Sequence, residues 1–246
     1  MDRLLYIAMN GAKHSLLQQA VTTQNLANVS TNAYKAQSSA FRALPVYGAG
    51  APTRTFVVDS TPGADLSSGV IRTTGRPLDV AVQGRGWIAV QDAKGGEAYT
   101  RNGSLQIAAD GTLVTSNGLT VVGDGGPISV PTDSELTIGK DGSVSVVSNN
   151  QFNAITTIGR IKLTNPADTD MVRGDDGLFR QRNGQPAAAD AGVNLASSAL
   201  EASNVSAVDA LISLIDQSRF FDMQIKLMQK ADENANRAAQ VMSLTA

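Results

Sequence analysis

The chain has 246 residues, of which 42% are hydrophobic, 17% charged and 4% aromatic. With 20 Lys and Arg against 22 Asp and Glu, its formal charge is -2, so it exerts no general attraction on phosphate backbones or anionic lipid, and nucleic acid is not an expected partner. The absence of Cys and the presence of one His exclude disulfide scaffolds, thiol nucleophiles, Cys/His zinc sites and most catalytic triads.

The N-terminal segment has neither the uninterrupted apolar core nor the small-residue cleavage pattern of a secretory signal, and no run of 18 apolar residues occurs anywhere. Neither a cleaved signal peptide nor direct membrane insertion is therefore expected. From Arg3 to about Ala27, Leu5, Met9, Ala12, Leu16, Ala20, Thr23 and Ala27 recur at steps of three and four, one stripe on a helix. Asp2 is placed to cap it, and the turn-forming run 25–32 is placed to end it.

The segment from Leu44 to Gly75, with Pro45, Pro52 and Pro62, reads as extended chain. Beyond it the pattern changes to short apolar runs cut by turn dipeptides. Asn102-Gly103, Asp110-Gly111, Asn117-Gly118, Asp124-Gly125, Asp141-Gly142, Asp176-Gly177 and Asn183-Gly184 each have the chemistry of a tight turn with positive φ. The expected strands are 78–82, 87–91, 97–101, 105–108, 112–115, 119–122, 135–138, 143–147 and 155–163. No helical pattern alternates with them, which predicts an antiparallel β domain.

The C-terminal end carries a second helical stripe. Ser206 and Asp209 make a capping-box-like start, and Leu211, Leu214, Phe221, Ile225, Met228, Ala235 and Met242 continue the three-four spacing almost to the end. About 38 residues at 1.5 Å each would make a helix about 57 Å long. The predicted fold is α+β: long N- and C-terminal helices packed as a coiled-coil-like stalk, with an inserted, mainly antiparallel β domain. The predicted organisation is a helical assembly domain at 1–30 and 206–246, connecting segments at 31–76 and 190–205, and a β-rich outer domain at 77–189. Stripes of that length mark an interface, so Leu5, Met9, Ala12, Leu16, Ala20 and the seven C-terminal stripe residues are the candidate assembly interface.

Other motifs carry less. Gly84-Arg-Gly-Trp87 follows an apolar run like a dinucleotide fingerprint, but the residues after it read as strand rather than the helix that must hold a pyrophosphate. Asp168-Thr-Asp170 with Gly174-Asp-Asp176 has calcium-loop composition, but Val172 stands where an oxygen ligand belongs. His14, in the first helix, has no Cys or second His to form a metal set and reads as a surface or interface histidine. No catalytic residue, metal ligand, cofactor or small-molecule substrate is expected.

The run Asn25-Leu-Ala-Asn-Val-Ser-Thr-Asn-Ala-Tyr-Lys35 resembles the N-terminal signature of the bacterial flagellar rod and hook proteins, carried here by Asn25, Leu26, Ala27, Asn28, Thr31 and Tyr34. Leu200-Glu-Ala-Ser-Asn-Val-Ser206 resembles the family's C-terminal segment. Arg76-Pro-Leu-Asp-Val-Ala-Val82, Tyr99-Thr-Arg-Asn-Gly103, Asp110-Gly-Thr-Leu-Val114 and Asp176-Gly-Leu-Phe179 resemble its β-domain motifs. Ala33 departs from the glycine usual at its place. The opening Met1-Asp-Arg-Leu-Leu-Tyr-Ile-Ala-Met9 and the length are most similar to proximal-rod members; a distal-rod relative is the alternative, and an extracellular β-rich carbohydrate-binding or carbohydrate-active module a more distant one. The resemblance implies a non-enzymatic structural subunit of the basal-body rod that crosses the periplasm. It also implies export by the flagellar type III apparatus, and as partners further copies of itself, the proximal and distal rod subunits and that export apparatus.

Overall fold

The computed structural model describes residues 3–45, 55–131, 134–148 and 155–244. The chain divides into two units: residues 1–29, 36–65 and 205–246 form the first, and residues 30–35 and 66–204 the second. The expected cap Asp2 lies outside the described residues.

In the first unit, helix α1 spans Arg3–Ala27 and helix α2 spans Ala207–Leu244. The Ser206 hydroxyl caps α2 by accepting the Asp209 N–H at 3.3 Å, while Asp209 places a carboxylate in the first turn. The helices meet in opposite senses. Ser15 Oγ donates to the Gln217 carbonyl at 2.9 Å, Gln217 Nε2 donates to Thr22 Oγ1 at 3.0 Å, and Gly11 abuts the Gln224 side chain.

The expected coiled-coil-like stalk is corrected by this packing. A coiled coil needs large apolar knobs along its seam, whereas among the described side chains the buried ones of α1 are Ala8, Ala12 and Ser15, and those of α2 are Ala210 and Ala231. Gln217 and Gln224 occupy half-buried positions between the two alanines. Met9, Leu16 and Leu211 are about half exposed, at 53%, 50% and 50%. The described residues 232–240 of α2 are all exposed, so the longer helix outruns its partner.

A third element also occupies α1. The strands Gln37–Pro45 and Thr55–Ala64 pair as an antiparallel ribbon, with an irregularity between Ala40 and Phe41. Val57 N–H donates to Asn10 Oδ1 at 3.2 Å, and His14 meets the Phe41 ring edge-on at 5.5 Å. The unit is thus two helices of unequal length with a β ribbon.

Among the described residues, every strand pair of the second unit is antiparallel. Its largest sheet has the order Leu163–Thr164, Trp87–Gln91, Glu97–Thr100, Phe179–Gln181, Met171–Arg173. A three-stranded sheet joins Ser134–Ile138, Ser143–Ser148 and Ile155–Arg160. Smaller pairs link Leu105–Ile107 with Leu113–Thr115, Val80–Gln83 with Asn194–Ser197, and Ile71–Thr73 with Ala199–Glu201.

Val80, Ile88, Val90, Leu105, Leu113, Val121 and Leu195 are fully buried in one cluster. Trp87, Ile88, Ala89 and Val90 are buried in succession, because a strand covered on both faces gains from apolar residues at every position rather than alternate ones. Five of the seven expected turn glycines, at 111, 118, 142, 177 and 184, have positive φ. At 124–126 the positive φ falls on Gly126. Gly103 serves a different purpose: a Cβ there would lie 1.8 Å from the Val80 carbonyl oxygen.

The residues after Gly84-Arg-Gly86 form strand, as expected, and Gly86 has φ 134° with Val193 2.6 Å from where its Cβ would be. Asp168–Asp170 is a short 3-10 turn whose first carboxylate pairs with Arg85 at 2.7 Å.

Candidate assembly surface and signature junction

Each helix carries two faces. On α2 the positions 210, 214, 217, 221, 224, 228 and 231, spaced alternately by four and three, are buried or half-buried. Away from them, Val208, Leu211, Ile212, Ile215, Phe220, Met223 and Leu227 are between 41% and 66% exposed. On α1, Tyr6, Met9, Leu16 and Leu17 are between 43% and 53% exposed.

The sequence-derived stripe is therefore distributed over both faces. Ala12 is buried, and Leu5, Leu214, Phe221, Ile225 and Met228 are half-buried. Met9, Leu16, Ala20, Leu211 and Ala235 are exposed, and the side chain of Met242 lies outside the described residues. Sequence reasoning passed over Tyr6, Leu17, Ile212, Ile215, Phe220, Met223 and Leu227. Their signal was present as a second set of apolar positions offset from the first, which a one-stripe reading merges.

The signature residues take part in chain reversal. Asn25 grips Gln37 twice, donating from Nδ2 to its carbonyl at 2.9 Å and accepting its N–H at 2.8 Å. Leu26 is half-buried and Ala27 exposed, while Asn28 Nδ2 donates to the Gln24 carbonyl at 2.9 Å. Thr31 accepts the Tyr34 N–H at 3.3 Å, closing a turn that contains Ala33 at φ 56°. Tyr34 is buried with the Arg173 guanidinium 4.8 Å above its ring.

Inside the second unit the terminal motifs meet at a buried ion triad. Glu201 accepts Lys35 Nζ at 2.7 Å through Oε1 and Arg101 Nε at 2.7 Å through Oε2. The three side chains are 0–3% exposed. Gly69 N–H also donates to Glu201 Oε1, at 2.8 Å, and Arg101 Nη2 donates to the carbonyls of Val82 and Gly84. Arg101 lies 5.9 Å from the Trp87 ring centroid. The carboxylate compensates two buried cations, which satisfies the rule that buried charge must be paired. All three residues lie within the motifs of the sequence, but no local pattern signals that they meet.

Elsewhere on this unit, Arg180 bridges Asp176 at 2.6 Å and Asp92 at 2.9 Å. The guanidinium holds the Asp92 and Asp176 carboxyls below their ordinary range, and the two carboxylates raise Arg180 in return. Hydrogen bonds from Thr112 and Ser143 lower Asp110 and Asp141. Burial pushes the Tyr99 phenol up to about 12; the Ala187 N–H that its hydroxyl accepts at 2.6 Å opposes the rise, and its donation to the Glu97 carboxylate adds to it.

Residues 81–146 match the family model described as flagellar hook protein FlgE/F/G D1 domain. Residues 196–241 match that of the flagellar basal body rod FlgEFG protein C-terminal region. The chain is 46% identical to the flagellar basal-body rod protein FlgF of Escherichia coli and 45% identical to that of Salmonella typhimurium, over the full length of each chain. It is 32% identical to the rod protein FlgG of Bacillus subtilis, over 95% of this chain and 96% of that one.

Proposed function

The chain belongs to the flagellar basal-body rod family, and from that premise we propose that the exposed apolar faces of α1 and α2 are the surface through which it assembles. It is a structural subunit of the flagellar basal-body rod and assembles there with other rod components. The observation that carries the assembly reading is the row of large apolar side chains left open along α2, from Val208 to Leu227. Exposed apolar residues gathered on one element mark an interaction site.

Neighbouring rod subunits, copies of this chain and other members of the family, cover that row. Among the described side chains, those fully buried in the contact between the helices of one chain are Ala and Ser, while Leu211, Ile212, Ile215, Phe220, Met223 and Leu227 are left for contacts between chains. Many shallow contacts of this kind spread shear over a wide area, which suits a shaft that transmits motor torque. The 46% identity to the FlgF of Escherichia coli, against 32% to the FlgG of Bacillus subtilis, supports a proximal rather than a distal place in the rod. The role is structural rather than catalytic.

Leu211→Asp and Ile215→Asp test the reading in a strain lacking the native copy. Each variant should fold with unchanged circular dichroism, fail to enter isolated basal bodies, and abolish swimming. Swimming at the native rate with either variant would refute the assembly surface.

A further inference from the structure

We propose that the Lys35–Glu201–Arg101 triad is a mechanical clamp that ties together the points at which the chain passes between its two units, with Glu201 as the positioning residue. The chain crosses between units after residues 29, 35, 65 and 204. The segments next to these crossings are stitched to one another inside the second unit. Lys35 Nζ donates to the Ser67 carbonyl at 2.6 Å and to Glu201 at 2.7 Å. Asn204 Nδ2 donates to the same Ser67 carbonyl at 3.3 Å. Ala33 N–H donates to the Glu201 carbonyl at 2.8 Å, and Asn204 N–H to the Tyr34 carbonyl at 3.2 Å.

The order of these bonds determines how they carry force. The two backbone bonds run in the same sense along both segments, 33 to 201 and then 34 to 204. A pull applied before residue 30 and after residue 204 therefore loads them together rather than one after the other. The side-chain bond from Lys35 to Glu201 adds a charge-assisted link at the same place. While it holds, the intervening residues lie outside the loaded path.

The triad also pins a register that the backbone specifies weakly. Ala199–Glu201 and Ile71–Thr73 are three-residue strands. So short a pair can slip by two residues and keep the same faces. Glu201 resists that slip, because a displaced carboxylate would leave Lys35 and Arg101 buried without their shared partner.

A stabilising role alone would not require charges, since well-packed apolar side chains often replace a buried ion group at no cost in stability. The purpose of the clamp rests on the structural-subunit reading, but its existence is tested on the isolated full-length chain. The absence of native Cys allows Val29→Cys and Val205→Cys to serve as unambiguous handles for single-molecule pulling.

In that background the triple variant Lys35→Met, Arg101→Met, Glu201→Leu should keep the parent's thermal midpoint yet open at a lower force. The exchange rate of the Gly69 amide, which loses its charged acceptor, should rise roughly tenfold or more, and those of the Ala33 and Asn204 amides should rise as their backbone bonds open with the released segments. An unchanged force, or a force that falls only in step with the thermal midpoint, would overturn the clamp. Should the triple variant not fold, Glu201→Asp keeps the charge and withdraws the carboxylate by one methylene. It should lower the opening force with native circular dichroism, and an unchanged force there would overturn the proposal equally. Loss of the clamp leaves the rod reading untouched, because that reading is decided by incorporation of the α2 surface variants.

Discussion

Ala33 donates its backbone N–H to the Glu201 carbonyl at 2.8 Å from a left-handed backbone conformation, φ 56°. The hydrogen bond joins the N-terminal signature to the C-terminal segment, and the conformation is one that alanine adopts at a cost. A Cβ in that region is strained by about 1–2 kcal/mol, while glycine brings about 0.5–1 kcal/mol of extra chain entropy to lose.

Ala33→Gly should therefore raise stability by roughly 0.5–1 kcal/mol, seen as a higher urea midpoint with an unchanged slope. Ala33→Val should lower it. A fall in midpoint for the glycine variant would show that the turn gains more from the methyl group than it loses to strain.

Glu201 should be the most sensitive member of its triad. Glu201→Gln leaves two buried cations without their carboxylate and should cost about 3–5 kcal/mol. Lys35→Met should cost less, because Arg101 and the Gly69 N–H still satisfy Glu201. Equilibrium denaturation of the two single variants ranks them, and the reverse order would contradict the charge balance of the triad.

Acid should weaken the second unit below about pH 4. The Asp92, Asp110, Asp141 and Asp176 carboxyls are held below their ordinary value of 3.8 in the folded chain. Lowered folded values contribute stability that is present above 3.8 and disappears as pH falls through them. Arg180→Gln should flatten that acid limb, because it removes the partner of Asp92 and Asp176. At the alkaline end, Tyr99 is raised to about 12 from 10.0. Its contribution is complete below pH 10 and is lost as pH rises toward 12. Thermal midpoints across pH 2–7 and a phenolate titration measure the two limbs, and an acid limb of equal slope in Arg180→Gln would contradict the assignment.

Gly103 and Gly118 should respond differently to alanine. At Gly103 the added Cβ meets the Val80 backbone, whereas at Gly118, with φ 79°, it meets nothing within 4 Å. Gly118→Ala should cost about 1–2 kcal/mol of backbone strain. Gly103→Ala must displace the Val80 strand and should cost more than about 4 kcal/mol, the exceptional class of single substitution. Comparable losses for both would mean that the strand moves aside at little cost.

Much of the architecture was legible because its determinants are local. The strand at Trp87–Gln91, the helix from about Ser206 and most of the tight turns follow from periodicity, capping and Asn-Gly or Asp-Gly chemistry within a few residues. The ribbon of Gln37–Pro45 with Thr55–Ala64 falls within the expected connecting segment 31–76, because neither strand alternates apolar and polar residues along its sequence. The strands Ile71–Thr73 and Ala199–Glu201 are too short to carry a periodic signal at all.

The sequence by itself determined that both ends are helical and breaker-poor, that the middle is a turn-rich antiparallel β unit, and that the chain carries the signatures of the rod family. Local spacing and residue chemistry suffice for each of these. Only the tertiary structure decided which helical face turns inward and that Lys35, Arg101 and Glu201 meet as a buried triad. Each α2 position at the helix contact meets a partner about 200 residues away, as Ser15 meets Gln217. Both faces of α2 carry apolar residues, so periodicity cannot choose between them. The ion triad likewise joins positions 100 and 166 residues apart, a proximity produced by strand pairing and invisible in any local pattern.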